Sequence, residues 1–134
     1  MIAPASMDNE ALGRLLKAHA KVLEGSSEGF WHVEFMERNL TIITDESHDR
    51  MRIITPVLDA DEIEIDLAMM LLKSNFDRAL DARYALTDDY LWAAFIHPLS
   101  PLTEGFLVSG LRQVATLAEN FGTSFSSGEL VFGG

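Results

Sequence analysis

Three features of the sequence predict an α+β fold, with a single antiparallel sheet of about five strands and helices packed on it. Strand-like runs follow one another across short polar breaks, as strands joined by tight turns do. Runs of helical period stand before, between and after them. The run YLWAAFIH (90–97) is apolar on both faces: Tyr90, Trp92, Ala94 and Ile96 alternate with Leu91, Ala93, Phe95 and His97. A strand wetted on one side carries polar residues there, so both sides of this one call for a cover. The expected order is α-β-β-β-α-β-β-α, a single domain over 1–134 with a partly irregular tail at 123–134.

Residues 1–6 read as frayed. A helix is expected over 8–24: Asp8 offers an N-cap, Leu12, Leu15, Leu16, His19 and Leu23 recur at helical spacing, and Gly25 reads as its stop. FWHVEFM (30–36) alternates, with Trp31, Val33 and Phe35 opposite His32 and Glu34. NLTIITD (39–45) and RMRIITPV (50–57) are rich in Ile and Thr, which suit a pleated surface. Pro56 cannot donate to a ladder and is expected at a strand end or an edge. Glu62-Ile63-Glu64-Ile65-Asp66-Leu67 alternates like a strand, yet Ile63, Leu67, Met70 and Leu71 share one helical stripe that Ala68, Met69, Leu72 and Phe76 widen. With Asp59 and Glu62 as a capping box, a second helix is expected over about 60–75. Two strand runs around Thr87-Asp88-Asp89 form a hairpin, since Asp tolerates turn geometry. Thr103 then caps a helix to 121, marked by Leu107, Leu111, Val114, Leu117 and Phe121 and ended by Gly122. Gly105 and Gly110 weaken that helix intrinsically, so its packing must compensate.

Composition narrows the classes of function. The chain has 134 residues, enough for a core without staples, and 48 % of them are hydrophobic. Cysteine is absent, which removes disulfides, thiolate metal sites and cysteine nucleophiles. No signal peptide is visible in MIAPASMDNEALGRLL, and the longest apolar run, LAMMLL, is too short to span a membrane. The expected residence is the cytoplasm. The formal net charge of −11 argues against nucleic acid and anionic lipid as partners. It serves solubility, and it also suits a basic or amphipathic protein partner.

The sequence carries no local signature of chemistry. His19, His32, His48 and His97 form neither H-x-x-x-H nor H-E-x-x-H. The acidic run DADEIEID lacks the mid-loop glycine and the spacing of a calcium loop, and acids at a helix start have a structural reason of their own. The serines form no G-x-S-x-G elbow, and FGTSFSSG lacks the lysine of a phosphate loop. A paired-carboxylate site needs no local spacing, although the small size argues against one. No metal site and no cofactor are expected.

LLKSNF, followed by ARYALTDDYLWAAFIHPLSPLTEGFLVSGLRQVATLAENFGT, resembles the YbjN-type family of bacterial sensory-transduction regulators. More distantly, it resembles the class I type III secretion chaperones of the CesT/Tir kind. The shared pattern is a helix ending in Leu-x-x-x-Asn (Leu71 to Asn75), a strand pair with an acidic turn, and a Pro-Leu-x-x-Leu step (Pro98, Leu99, Leu102) into a long terminal helix. The resemblance implies a compact, secretion-chaperone-like α/β sandwich, usually dimeric, that holds an extended partner segment along apolar grooves.

Two functions compete. The first is a non-catalytic, chaperone-like or regulatory homodimer that engages a protein partner, with Trp31, Phe35, Trp92, Phe95 and Phe106 as interface candidates. The first four also have an ordinary reading as core. The alternative is a small enzyme or ligand-binding domain with a pocket between sheet and helices, using His97 with Tyr84 or Arg83. The dimer is expected to bury part of the sheet or the terminal helix.

Overall fold

The computed structural model describes residues 6–26 and 28–128. Among them are three α-helices, α1 (Asn9–His19), α2 (Ile65–Asp77) and α3 (Glu104–Glu119). Six strands accompany them: β1 (Lys21–Ser26), β2 (Phe30–Phe35), β3 (Arg38–Asp45), β4 (Arg50–Asp59), β5 (Arg83–Leu86) and β6 (Tyr90–Pro98). The sheet order is β1-β2-β3-β4-β6-β5, and all pairings are antiparallel. The α+β class holds, with one strand more than expected.

That strand comes out of the first helix, which ends at His19 rather than at 24. Asp8 caps α1 as expected, accepting a hydrogen bond from the Ala11 N–H at 2.8 Å. The chain turns extended at Ala20 and pairs with β2. Gly25 is therefore no helix stop but part of β1. It faces Trp31, whose Cδ1 lies 2.8 Å from where a Cβ would stand, so only glycine lets the indole pack there. Leu23, which completed the helical pattern, lies at a bulge in β1 and is exposed.

The second helix also differs. Ala60–Glu62 forms one 3-10 turn, and α2 begins only at Ile65. Neither Asp59 nor Glu64 makes a side-chain cap, so the expected capping box is not formed. Pro56 lies within β4, a central strand, and not at an edge. It is tolerated because the β3 pairing stops at Ile54 and a bulge between Pro56 and Leu58 interrupts the β6 pairing. The terminal helix keeps its Thr103 cap, which accepts from the Phe106 N–H.

Residues paired across strands share a face. Trp31, Ile42, Ile53 and Phe95 form one such row, and Val33, Leu40, Thr55 and Ala93 lie beside it, all buried. Leu12 and Leu16 of α1 and Leu107, Leu111, Val114 and Leu117 of α3 complete this core. At Gly110, α3 comes so close to the sheet that an added Cβ would sit 2.8 Å from the Phe95 ring and 3.1 Å from Ile53 Cδ1. That close approach is the packing that offsets the two glycines of the helix.

Candidate functional site

Among the described residues, the sheet is covered on one face only. Beneath α3, Leu91, Ala93 and Phe95 are buried, whereas on the other face of the same strand Tyr90 and Ile96 stand in solvent and Trp92 is half-buried. The described part of the tail, 123–128, does not supply the second cover. Ser127 N–H donates to the Arg78 carbonyl, and its hydroxyl accepts from the Leu80 N–H, so the tail runs beside 78–80. Leu130-Val131-Phe132 lie outside the described residues.

The five interface candidates divide. Trp31 and Phe95 are core residues, 5 % and 1 % exposed, because their register places them under α1 and α3. Trp31 also lines a groove beside α1, together with Gly13, Val22 and Gly25. Phe35 is half-buried against the same core. Trp92 lies on the uncovered face, its indole N–H donating to Thr87 Oγ1 at 2.9 Å and Tyr90 packing edge-on against it. Phe106, on the first turn of α3, is 52 % exposed and lies 5.6 Å from the His97 ring. Most of α3 otherwise spends its apolar side on the sheet.

Sequence reasoning saw the apolar stripe of α2 widened by Met69, Leu72 and Phe76 but did not read it as exposed surface. Leu71 and Ser74 face inward and are buried. Ile65, Met69, Leu72 and Phe76 stand 75 %, 49 %, 67 % and 74 % exposed. Their spacing of 4, 3 and 4 residues brings all four onto one narrow stripe of the helix. Leu86, at the end of the neighbouring edge strand, is exposed as well. Thus α2 has two apolar faces, one used inside and one left in water. An excess of apolar residues over one helical stripe is the signal that could have exposed it.

Asn75 fixes α2 to that edge. Its side-chain N–H donates to the Tyr84 carbonyl at 2.9 Å, and its carbonyl oxygen accepts from the Tyr84 N–H at 2.8 Å. The amide thereby imitates one residue of a further strand on β5. This gives the Leu-x-x-x-Asn spacing a structural meaning: Leu71 enters the core and Asn75 closes part of the edge.

The residues of the catalytic alternative do not converge. Tyr84 donates its hydroxyl hydrogen to the Leu117 carbonyl at 2.8 Å, and burial pushes its pKa up. His97 Nδ1 lies 2.7 Å from the Pro98 carbonyl, with the ring stacked on Phe95. Arg83 pairs in register with Ala94 on the opposite, uncovered face, and its guanidinium donates to the Leu80 carbonyl. A small apolar cavity of about 190 Å³ lies between α2 and β5, lined by Ile63, Leu71, Asn75 and Tyr84 among others. Among the described residues there is no group of three or more His, Asp or Glu side chains placed to hold a metal ion. No helix among them is long and apolar enough to cross a membrane.

No family profile matches the chain, and no curated protein matches it in sequence. Solved structures do match. The crystal structure of the ExsC–ExsE complex has a similar chain, with a TM-score of 0.62 at 18 % identity, covering 86 % of this chain and 94 % of that one. At that identity the likeness is one of fold, and the fold is the secretion-chaperone-like α+β arrangement anticipated from the sequence.

Proposed function

We propose that this protein is a cytoplasmic, non-catalytic protein-binding module that acts as a homodimer joined through α2. The observation that carries the reading is the outer stripe of Ile65, Met69, Leu72 and Phe76. Its spacing reads the same in both directions. In a two-fold antiparallel pairing, Ile65 would meet Phe76 of a second copy, and Met69 would meet Leu72. On the flank of the stripe, Asp66 would then approach Lys73 of the second copy. Neither has an ion-pair partner of its own among the described residues. The interface thus moves from the sheet and terminal helix, where the sequence suggested it, to α2.

The likeness to a chain solved as a protein complex agrees with a protein-binding role. The sequence motifs shared with YbjN-type regulators and secretion chaperones agree with it too. A dimer built this way leaves the uncovered sheet face free for a partner.

Sedimentation velocity tests the reading. The wild type is expected to run as a dimer at micromolar concentration. Leu72→Glu should run as a monomer, because it removes about 2 kcal/mol of apolar burial per protomer and places a carboxylate in the interface. Its circular dichroism should be unchanged, since Leu72 is exposed in the single chain. A monomeric wild type would refute the proposal.

A further inference from the structure

The uncovered sheet face is chemically divided. Over β4, β6 and β5 the outward residues are Arg50, Arg52, Ile54, Pro56 and Asp59, then Tyr90, Trp92, Ala94, Ile96 and Pro98, then Arg83 and Ala85. That half contains three arginines and a single carboxylate, Asp59, which lies at the far end beside Tyr90, in a chain with 21 acidic and 10 basic residues. None of the three arginines takes part in an ion pair among the described residues. Arg50 lies across the ladder from Asp45, yet it donates to the Asp49 carbonyl instead. The Asp45 carboxylate is held by Ser47 and His48.

Arg52 and Arg83 flank a floor of Ile54, Ala94 and Ile96. By register, Arg52 stands opposite Ile96 and Arg83 opposite Ala94. Two strand spacings and a two-residue offset separate these arginines by roughly 12 Å at the backbone. A helix with its side chains is about 10–12 Å across, so one helix fits between them as α3 fits on the opposite face. A groove of about 600 Å³ opens at one end of this surface, lined by Ile43, Arg50 and Arg52 together with Glu28, Asp45 and Glu46.

We infer that the β4-β6-β5 half of the open sheet face receives an amphipathic helix of another protein whose apolar stripe is flanked by Asp or Glu. The inference deepens the protein-binding reading and names the chemistry of the partner. The net charge of the chain favours a basic partner, whereas this face selects an acidic one. The apolar stripe covers Ile54, Ala94, Ile96 and Trp92, and the flanking carboxylates take the guanidinium groups, which hold no ion pair among the described residues, an arrangement that suits bidentate pairing.

The test uses a fluorescein-labelled helical peptide of Leu and Glu, the same peptide with Lys for Glu, and a single-stranded oligodeoxythymidine. Each is titrated by anisotropy into the wild type and into the exposed double variant Arg52→Glu/Arg83→Glu, with circular dichroism as the check on folding. The Glu peptide is expected to bind the wild type, about tenfold or more tightly than the Lys peptide, and to lose about tenfold or more in the double variant and in high salt. Lys-peptide binding as tight as that of the Glu peptide would overturn the inference, showing that net charge governs. Arginine-dependent binding of the oligonucleotide without binding of the Glu peptide would also overturn it. So would unchanged Glu-peptide binding in the double variant, or arginine-dependent self-association of the chain. Any of these outcomes leaves the α2 dimer to stand or fall on sedimentation.

Discussion

Gly110 and Gly105 lie on the same helix, and the same substitution should move them in opposite directions. In a helix interior, alanine is favoured over glycine by about 1 kcal/mol. At Gly105 nothing lies nearer to an added Cβ than Thr103 Oγ1 at 4.0 Å. Gly105→Ala should therefore stabilise, by a few tenths of a kcal/mol up to about 1, since the site is in the first turn. At Gly110 the methyl would press on the Phe95 ring at 2.8 Å, and that ring is 1 % exposed and enclosed. Overpacking of this kind costs about 1–3 kcal/mol, so after the helical gain the net loss is about 1 kcal/mol, up to about 2. For a chain of this size, 1 kcal/mol shifts Tm by roughly 3–5 °C. Urea and thermal unfolding at one fixed protomer concentration would read both variants, the fixed concentration removing any shift from association. A Gly110→Ala protein stabilised as much as Gly105→Ala would refute the close approach of α3 to β6 and, with it, the account of the core.

Asn75→Ala should cost about 1–2 kcal/mol in chemical unfolding, because two hydrogen bonds to the Tyr84 backbone are lost. It should also raise aggregation by opening the β5 edge, and an unchanged midpoint would show that the amide does not hold that edge. The Asp45 carboxyl is held down to about 2 from 3.8, first by the Ser47 hydroxyl and then by the His48 side chain and backbone N–H. The sign follows: the lowered carboxylate supports the β3–β4 turn above its unfolded-state value, and that support is lost as pH falls from about 4 towards 2. A carbon NMR titration should give an Asp45 midpoint near 2, and a midpoint near 3.8 would contradict the turn geometry. Phe95→Ala should cost about 3–5 kcal/mol as a large core deletion, an effect that a surface residue would not show on unfolding.

Much of the fold is legible because its signals are local. The 83–98 hairpin, the β2–β3–β4 meander and the capped terminal helix each carry their own turn or cap residues. The failures are places where a distant residue decides. Gly25 reads as a helix stop until Trp31 is seen to occupy the space of its missing side chain. Pro56 reads as an edge residue until the bulge is known. The candidate site was harder still. Aromatic residues mark both cores and interfaces, so Trp31 and Phe95 look the same in sequence as Trp92, and only register separates them. On α2 the apolar residues outnumber what one face can hold, but the sequence alone cannot say which stripe enters the core. The arginines of the open face are scattered over 50, 52 and 83 and meet only through strand pairing.

The most direct test of the central claim uses the absence of cysteine from the chain. Two-fold pairing of α2 would set position 65 against position 76 of a second copy. Within one helix these positions stand eleven residues, about 16 Å, apart, too far for a disulfide within one chain. Ile65→Cys/Phe76→Cys under mild oxidation should therefore close into a covalent dimer with high yield, while Lys17→Cys on α1 should give little. A cross-linking yield no higher than that of the Lys17→Cys protein would contradict the α2 dimer.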